Sequence, residues 1–303
     1  MQIFTKWQCF ILQLVILLFL TTTVVVVHGV EDNGCVFHFD VRMVTIDFPG
    51  RESFVFKTVV SYFLSDGGQK TDHLHLFLGS SNKSHLADFT NVDRFFHIYP
   101  LNKQFEKEHV LHQRATYNYF RALNFTHDLP LHQFKYPSRD GQCLVPPGIV
   151  LLEDDILLSK NFFSSLVLTL LNIEDRERER AATPPFILSM YTPHWVRYNR
   201  PRIPNLGEYT AKHSLYFVNR QFCCTQAMFF PAHSLTQVTD VLYQSFQNYS
   251  QPYDLRLSAE QRQHKLRIYN TKLGVVQHVG NQKSTGLAGV SYHGNSHFNI
   301  NNK

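Results

Sequence analysis

The sequence predicts an α/β fold, a mostly parallel sheet flanked by helices, and three observations carry that prediction. Short apolar runs alternate with stretches of helical periodicity along most of the 303 residues, the order that builds parallel sheets. One run, Gly148-Ile-Val-Leu-Leu152, is continuously apolar, as a strand covered on both faces must be. Hydrophobic residues make up 44% of the chain and charged ones 17%, which supplies a large core and excludes wholesale disorder.

The N-terminus stands apart. Residues 9–27, CFILQLVILLFLTTTVVVV, have Gln13 as their only strongly polar member and are long enough to span a bilayer. Lys6 before the run, with Glu31 and Asp32 after it, favours a cytoplasmic N-terminus and a lumenal remainder. A cleaved signal peptide is the rival reading, because Val27-His28-Gly29 has small residues at cleavage spacing. The expected layout is a cytoplasmic tail (1–8), a transmembrane signal-anchor (9–27), a short stem (28–41) and a lumenal domain (42–303). No second stretch is apolar enough to span, which excludes a polytopic membrane protein. Sequons at Asn82, Asn124 and Asn248 agree with lumenal placement. There, Cys35, Cys143, Cys223 and Cys224 have three possible disulfide connectivities, and the adjacent Cys223 and Cys224 are poorly placed to bond one another. The net charge of +5 is scattered, with no basic cluster among aromatics, so no nucleic-acid partner is expected.

Taken in order, Arg42–Phe48 reads as a strand and Glu52–Leu64 as a helix ended by Ser65-Asp-Gly-Gly68. His73–Leu78 and Arg94–Tyr99 read as strands, and Phe105–Leu123 as one long helix. His73 and His75 sit at strand spacing, so they either share an ion or line a polar strand face. A Pro-bearing loop leads to the buried strand at Gly148. Lys160–Ile173 is helical, and Glu174–Arg180 (EDRERER) reads as its solvated end. Phe186–Tyr191 and Ala227–Phe230 are expected strands, His233–Phe246 a helix, and Val275–Val279 a last strand.

The sharpest chemical feature is the acid triplet Glu153-Asp154-Asp155, directly after the buried strand. Ligands in open α/β sheets bind at the carboxyl ends of strands, and carboxylates there can hold a hard divalent cation that neutralises a diphosphate. The plainer reading is a strand-end acid cluster capping the next helix. No P-loop, GxSxG, GxGxxG, kinase set or HExxH is present.

Several segments together resemble a known family. They are His112-Gln-Arg-Ala-Thr-Tyr-Asn118-Tyr119, Leu151-Leu-Glu-Asp-Asp155, Phe186-Ile-Leu-Ser-Met-Tyr191, Cys223-Cys-Thr-Gln-Ala-Met-Phe-Phe-Pro231, Pro252-Tyr-Asp254-Leu and Gln277-His278-Val-Gly280. In order and spacing this set, from about Arg42 to Gly280, resembles the GalNAc transferase that modifies glycosylphosphatidylinositol (GPI) anchors after their attachment to protein. It also shares features with the N-acetylglucosaminyltransferase IV enzymes of N-glycan branching.

The resemblance implies a GT-A (Rossmann-like) fold, a UDP-HexNAc donor, Mn2+ or another divalent cation, and inversion at the anomeric carbon; with the N-terminal anchor, a Golgi or ER membrane address is expected. It implies that Asp155 and His278 ligate the metal, and that Glu153 lies nearer the ribose or a metal-bound water, with Asp154 assisting. Arg114 and Asn118 would hold the nucleotide, and Asp254 would take the acceptor hydroxyl's proton. Two departures bear on the acceptor. The GPI enzyme carries a transmembrane hairpin where this chain has the short polar Arg200–Ser214, and Asn281-Gln-Lys-Ser-Thr285 differs from the family's more apolar segment. The acceptor is therefore a GPI glycan or an N-glycan, and a catalytically silent GT-A domain that binds glycan is the reading from a different class.

Overall fold

A computed structural model of the chain describes residues 35–45, 54–68, 74–81, 96–127, 131–136, 145–177, 185–192, 214–218, 225–248 and 253–279. The strands among them are β1 (Cys35–Thr45), β2 (Leu74–Leu78), β3 (Phe96–Tyr99), β4 (His132–Tyr136), β5 (Gly148–Glu153), β6 (Ile156–Leu158), β7 (Phe186–Ser189), β8 (Tyr216–Val218), β9 (Ala227–Pro231), β10 (Arg267–Thr271) and β11 (Val276–His278). The helices are α1 (Val55–Leu64), α2 (Lys103–Glu108), α3 (Leu111–Asn124), α4 (Phe162–Glu177), α5 (Leu235–Gln247) and α6 (Tyr253–Arg262).

Nine strands form one sheet in the order β3-β2-β1-β5-β9-β7-β10-β8, with β4 paired to the first half of β1. The β3-β2-β1-β5 block is parallel throughout, and β7 and β10 are parallel to each other. β9 runs antiparallel to both β5 and β7, β8 to β10, and β4 to β1. The result is a mixed α/β protein with a large, mostly parallel sheet flanked by helices.

Strand alternation sorts the side chains onto two faces. Phe37, Phe39, Val41 and Met43 of β1, with Val150 and Leu152 of β5, meet Val55, Val59 and Tyr62 of α1 and Phe162, Phe163, Leu166 and Leu170 of α4. Val44, Ile149, Leu151, Met228 and Phe230 face the other way, onto Tyr119, Ala122 and Leu123 of α3, Val238 and Leu242 of α5, and Leu257 of α6. Both faces of β5 are thus covered, which is why its sequence is a continuous apolar run.

α3 also seals the carboxyl edge of the parallel block. Asn118 Nδ2 donates to the Thr45 and Phe77 carbonyls at 3.2 and 3.0 Å. Arg121 donates to the carbonyls of Leu78, Tyr99 and Pro100 at 3.2, 2.8 and 2.9 Å.

Several boundaries differ from the sequence reading. β1 begins at Cys35, so residues 35–41, expected as stem, are its first half. The expected single helix over 105–123 is two, because His109 is extended (φ −124°, ψ 138°) and Val110 starts a new helix by donating its N–H to Gln113 Oε1. EDRERER is not all solvated. α4 continues to Glu177, which is buried and accepts from Arg267 at 2.6 Å and from the Tyr216 hydroxyl at 3.2 Å. The strands β4, β6, β8 and β10 were not foreseen.

Among the described residues no helix is long and apolar enough to cross a membrane. The apolar run at 9–27, Asn82, His73, Cys143, Cys223, Cys224 and the side chain of Cys35 lie outside the described residues. Asn124 and Asn248 are exposed at helix ends.

The start of β5 is set by close strand contact. A Cβ at Gly148 would lie 2.5 Å from the Phe230 carbonyl oxygen and 2.6 Å from the Phe229 ring. Gly148→Ala is therefore expected to destabilise the protein by about 1–3 kcal/mol. Thermal unfolding should show a fall of about 2–4 °C per kcal/mol.

Candidate active site

The carboxyl end of β5 is fixed from both sides. Val44 of β1 stands in register with Glu153, and the Glu153 N–H donates to the Gln226 carbonyl at 2.8 Å. The chain then turns through Asp154-Asp155 into β6. α1 holds that turn, since the Thr58 hydroxyl lies 2.7 Å from the carbonyls of both Asp154 and Ile156 and accepts the Ile156 N–H at 3.2 Å. The Leu158 N–H donates to Ser61 Oγ at 3.0 Å.

β6 pairs antiparallel with β11 as a separate two-stranded ribbon, with Ile156 opposite His278. The Val279 N–H donates to the Asp155 carbonyl at 2.8 Å. This ribbon returns a residue 123 positions away to the acid triplet, and His278 Nε2 lies 2.9 Å from Asp155 Oδ2. Both side chains are buried.

Glu153 sits beneath this pair in a cage of hydroxyls. Its Oε1 accepts from Tyr119 at 2.5 Å, from Thr225 at 2.6 Å and from Tyr253 at 3.2 Å. The Tyr119 and Tyr253 rings lie against one another with centroids 4.4 Å apart, and the Thr225 and Tyr253 hydroxyls are 2.9 Å apart. Burial, and then the Asp155 carboxylate, push the Glu153 carboxyl above the ordinary glutamate range, against the Thr225 and Tyr119 hydroxyls and the His278 ring. Burial and the Glu153 charge push both tyrosine hydroxyls well above theirs, so they remain donors.

Asp254 follows Tyr253 directly and is half-buried in the first turn of α6. Its Oδ1 accepts the Leu255 N–H at 2.9 Å, so the aspartate also serves the helix N-terminus. Burial raises its pKa even so. Asp154 is buried in the turn beside Asp155.

The structure thus gathers Glu153, Asp154, Asp155 and His278, and the Tyr253–Glu153 bond sets Asp254 at the end of α6 nearest them. Arg114 and Asn118 are held elsewhere. Arg114 bonds Glu106 at 3.0 Å, and Glu106 in turn accepts from Ser80 and the Ser81 N–H beyond β2. The Asn118 amide is fully buried on strand-end carbonyls, so its contacts position α3 and with it Tyr119.

Sequence reasoning missed Thr58, Thr225 and Tyr253. Lone hydroxyls 72 and 100 positions from Glu153 carry no spacing signal.

No family model matches the chain, and no curated protein does. Among solved structures, a crystal structure of GalNAc-T7 with UDP, GalNAc and Mn2+ is similar over 83% of this chain at 10% identity, with a TM-score of 0.44. The match takes in 46% of that protein, so this chain spans about half its length. The inositol-1-phosphate CTP transferase from T. maritima is similar over 77% of this chain and 86% of its own, at 11% identity and a TM-score of 0.37.

Because the Glu153 pKa is raised, the folded state holds that proton more tightly than the unfolded chain does. The cost of ionising it is absent below the ordinary glutamate pKa of about 4.3, grows as pH rises through the shifted value, and is full above it. Glu153→Gln keeps an acceptor for the three hydroxyls and removes the charge. Urea midpoints should show the variant at least as stable as wild type at pH 7–8, with any advantage vanishing toward pH 4. In contrast, Thr58→Val strips a polar partner from the acidic turn and is expected to cost about 1–3 kcal/mol by the same measurement.

Proposed function

We propose that this protein is a divalent-metal-dependent, inverting glycosyltransferase of GT-A type, moving N-acetylhexosamine (GalNAc favoured) from a UDP-sugar to a GPI-anchor glycan. The carrying observation is the pairing of Asp155 Oδ2 with His278 Nε2 at 2.9 Å, directly beyond the carboxyl end of a buried strand. An acid and an imidazole at that position, beside a second carboxylate, form a donor set that fits a divalent cation with oxygen and nitrogen ligands. The ordered motifs from Arg42 to Gly280 support the same reading.

In this proposal Asp155 and His278 would hold Mn2+ or a similar ion, which when bound supplies positive charge to the donor's diphosphate. The remaining work belongs to the chain. Tyr119, Thr225 and Tyr253 fix Glu153 through one oxygen and leave Oε2 outside those bonds, where it would be available to the ribose. Asp254 would accept the acceptor hydroxyl's proton at its carboxylate as that oxygen attacks the anomeric carbon and the bond from that carbon to the diphosphate oxygen breaks, so that UDP leaves with the electron pair. Its raised pKa strengthens it as a base while the Leu255 N–H holds its orientation. Arg114 and Asn118 serve the nucleotide side through the loops and strand ends they brace.

The catalytic domain is proposed to face the Golgi or ER lumen behind the 9–27 anchor. An N-glycan acceptor is the second reading, favoured by the short polar Arg200–Ser214 where the GPI enzyme carries a membrane hairpin.

The test is UDP release by the full-length protein from a panel of UDP-sugars, with GPI-glycan or N-glycan acceptors, in Mn2+ or EDTA. One donor should support release, EDTA should abolish it, and Asp155→Ala should lower it by about 100-fold or more. Asp254→Asn should lower turnover by about 100- to 10,000-fold while sparing UDP binding. Metal-dependent UDP binding without release from any donor would favour the silent binding domain. A folded protein that neither binds nor releases UDP would overturn the reading.

A further inference from the structure

A second group of ligating side chains lies on the α3 face of the sheet, away from the strand ends. Asp40 stands on β1 four residues before Val44, the register partner of Glu153, so the two sites are about 13 Å apart along the strand. Parallel register sets Arg42 beside His75 and His75 beside His97, and His127 arrives from the segment after α3.

Donor atoms of Asp40, His75 and His127 all lie within 4.8 Å of one another. His127 Nε2 is 2.8 Å from Asp40 Oδ2, and the His75 and His127 rings are 4.3 Å apart. Their exposures are only 7% for Asp40, 1% for His75 and 10% for the His127 side chain.

Local ion pairing leaves two donor atoms in this group unaccounted for. Arg42 already neutralises Asp40 through two of its nitrogens and gives the third to the Ala122 carbonyl. Arg42 and His127 both use Asp40 Oδ2, so Oδ1 stays outside those bonds. His75 Nδ1 is 3.1 Å from the Tyr99 hydroxyl, the outer contact that fixes a ligand imidazole's tautomer and orientation. Its Nε2 makes no hydrogen bond among the described residues.

We infer that Asp40, His75 and His127 form a second cation site, for a divalent d-block ion of the zinc class. Two imidazoles and one carboxylate match that class in ligand type and number. A tetrahedral ion with bonds of about 2.0–2.1 Å separates its ligand atoms by about 3.3 Å, above the 2.8 Å between His127 Nε2 and Asp40 Oδ2 and inside the 4.8 Å that bounds the group. The ion would join β1, β2 and the segment after α3, and it does not depend on the transferase reading. The neighbouring Arg42 charge lowers the affinity without removing a ligand.

The test is Co2+ titration of the metal-stripped full chain, followed by visible absorption and thermal melting. One equivalent is expected to give the intense bands of a four- or five-coordinate site, to be displaced by Zn2+, and to raise the melting temperature. Those bands should persist in Asp155→Asn/His278→Ala and disappear in His127→Gln, whose partly exposed position makes it the variant expected to fold. Only weak six-coordinate absorption in wild type, or bands lost with Asp155→Asn/His278→Ala and kept in His127→Gln, would overturn the inference. If every variant at the site unfolds, Asp155→Asn/His278→Ala decides, because bands kept there cannot come from the acid-triplet site.

Discussion

Two carboxylates, Glu153 and Asp155, are kept close together and out of water at the end of a buried strand, and much of the surrounding structure answers that constraint. Burial and the neighbouring Asp155 carboxylate both favour the protonated form of Glu153. Unrelieved, such an arrangement would draw in water or pull the turn apart. The relief comes from three directions: the hydroxyl cage on Glu153 Oε1, the His278 ring on Asp155, and the Thr58 clamp on the turn's carbonyls. Each is delivered by a different layer. α3 and α6 bring Tyr119 and Tyr253, the β6–β11 ribbon brings His278, and α1 brings Thr58.

Polar groups on the α3 face of the sheet fall in two places. On the α3 face, Ile149 and Leu151 of β5 lead up to Glu153, whereas Asp40 and Arg42 of β1 lie lower among histidines. Asn118 and Arg121 tie α3 to the carbonyls of β1, β2 and β3, so the helix that supplies Tyr119 is indexed to the parallel block. A shift of α3 would be felt at Glu153 without any residue of the acid triplet changing.

What could be read in the sequence follows from what leaves a local signal. β5 was readable because a strand covered on both faces must be apolar throughout, and the acid triplet because charge abruptly follows it. His278 was picked out only through the family resemblance, since a lone histidine carries no local signal. β4 and β10, with His132-Gln-Phe-Lys-Tyr136 and Arg267-Ile-Tyr-Asn-Thr271, mix polar and aromatic residues, since their partners rather than their composition define them. Glu177 looked solvated because its partners, Tyr216 and Arg267, lie 39 and 90 positions away. The Glu153 cage was unreadable for the same reason, and Asn118 was expected at the nucleotide only through the family resemblance, since an amide on a helix does not announce that strand-end carbonyls occupy it.

Asp155 and His278 together are proposed to form a cation site that a nucleoside diphosphate needs. Calorimetric titration of UDP, with and without Mn2+, into wild type and Asp155→Asn/His278→Ala addresses it most directly. Mn2+ is expected to strengthen UDP binding in wild type, and the double variant is expected to lose this Mn2+-dependent gain of about 10- to 100-fold in affinity. A folded double variant that keeps the wild-type Mn2+-dependent affinity would contradict it.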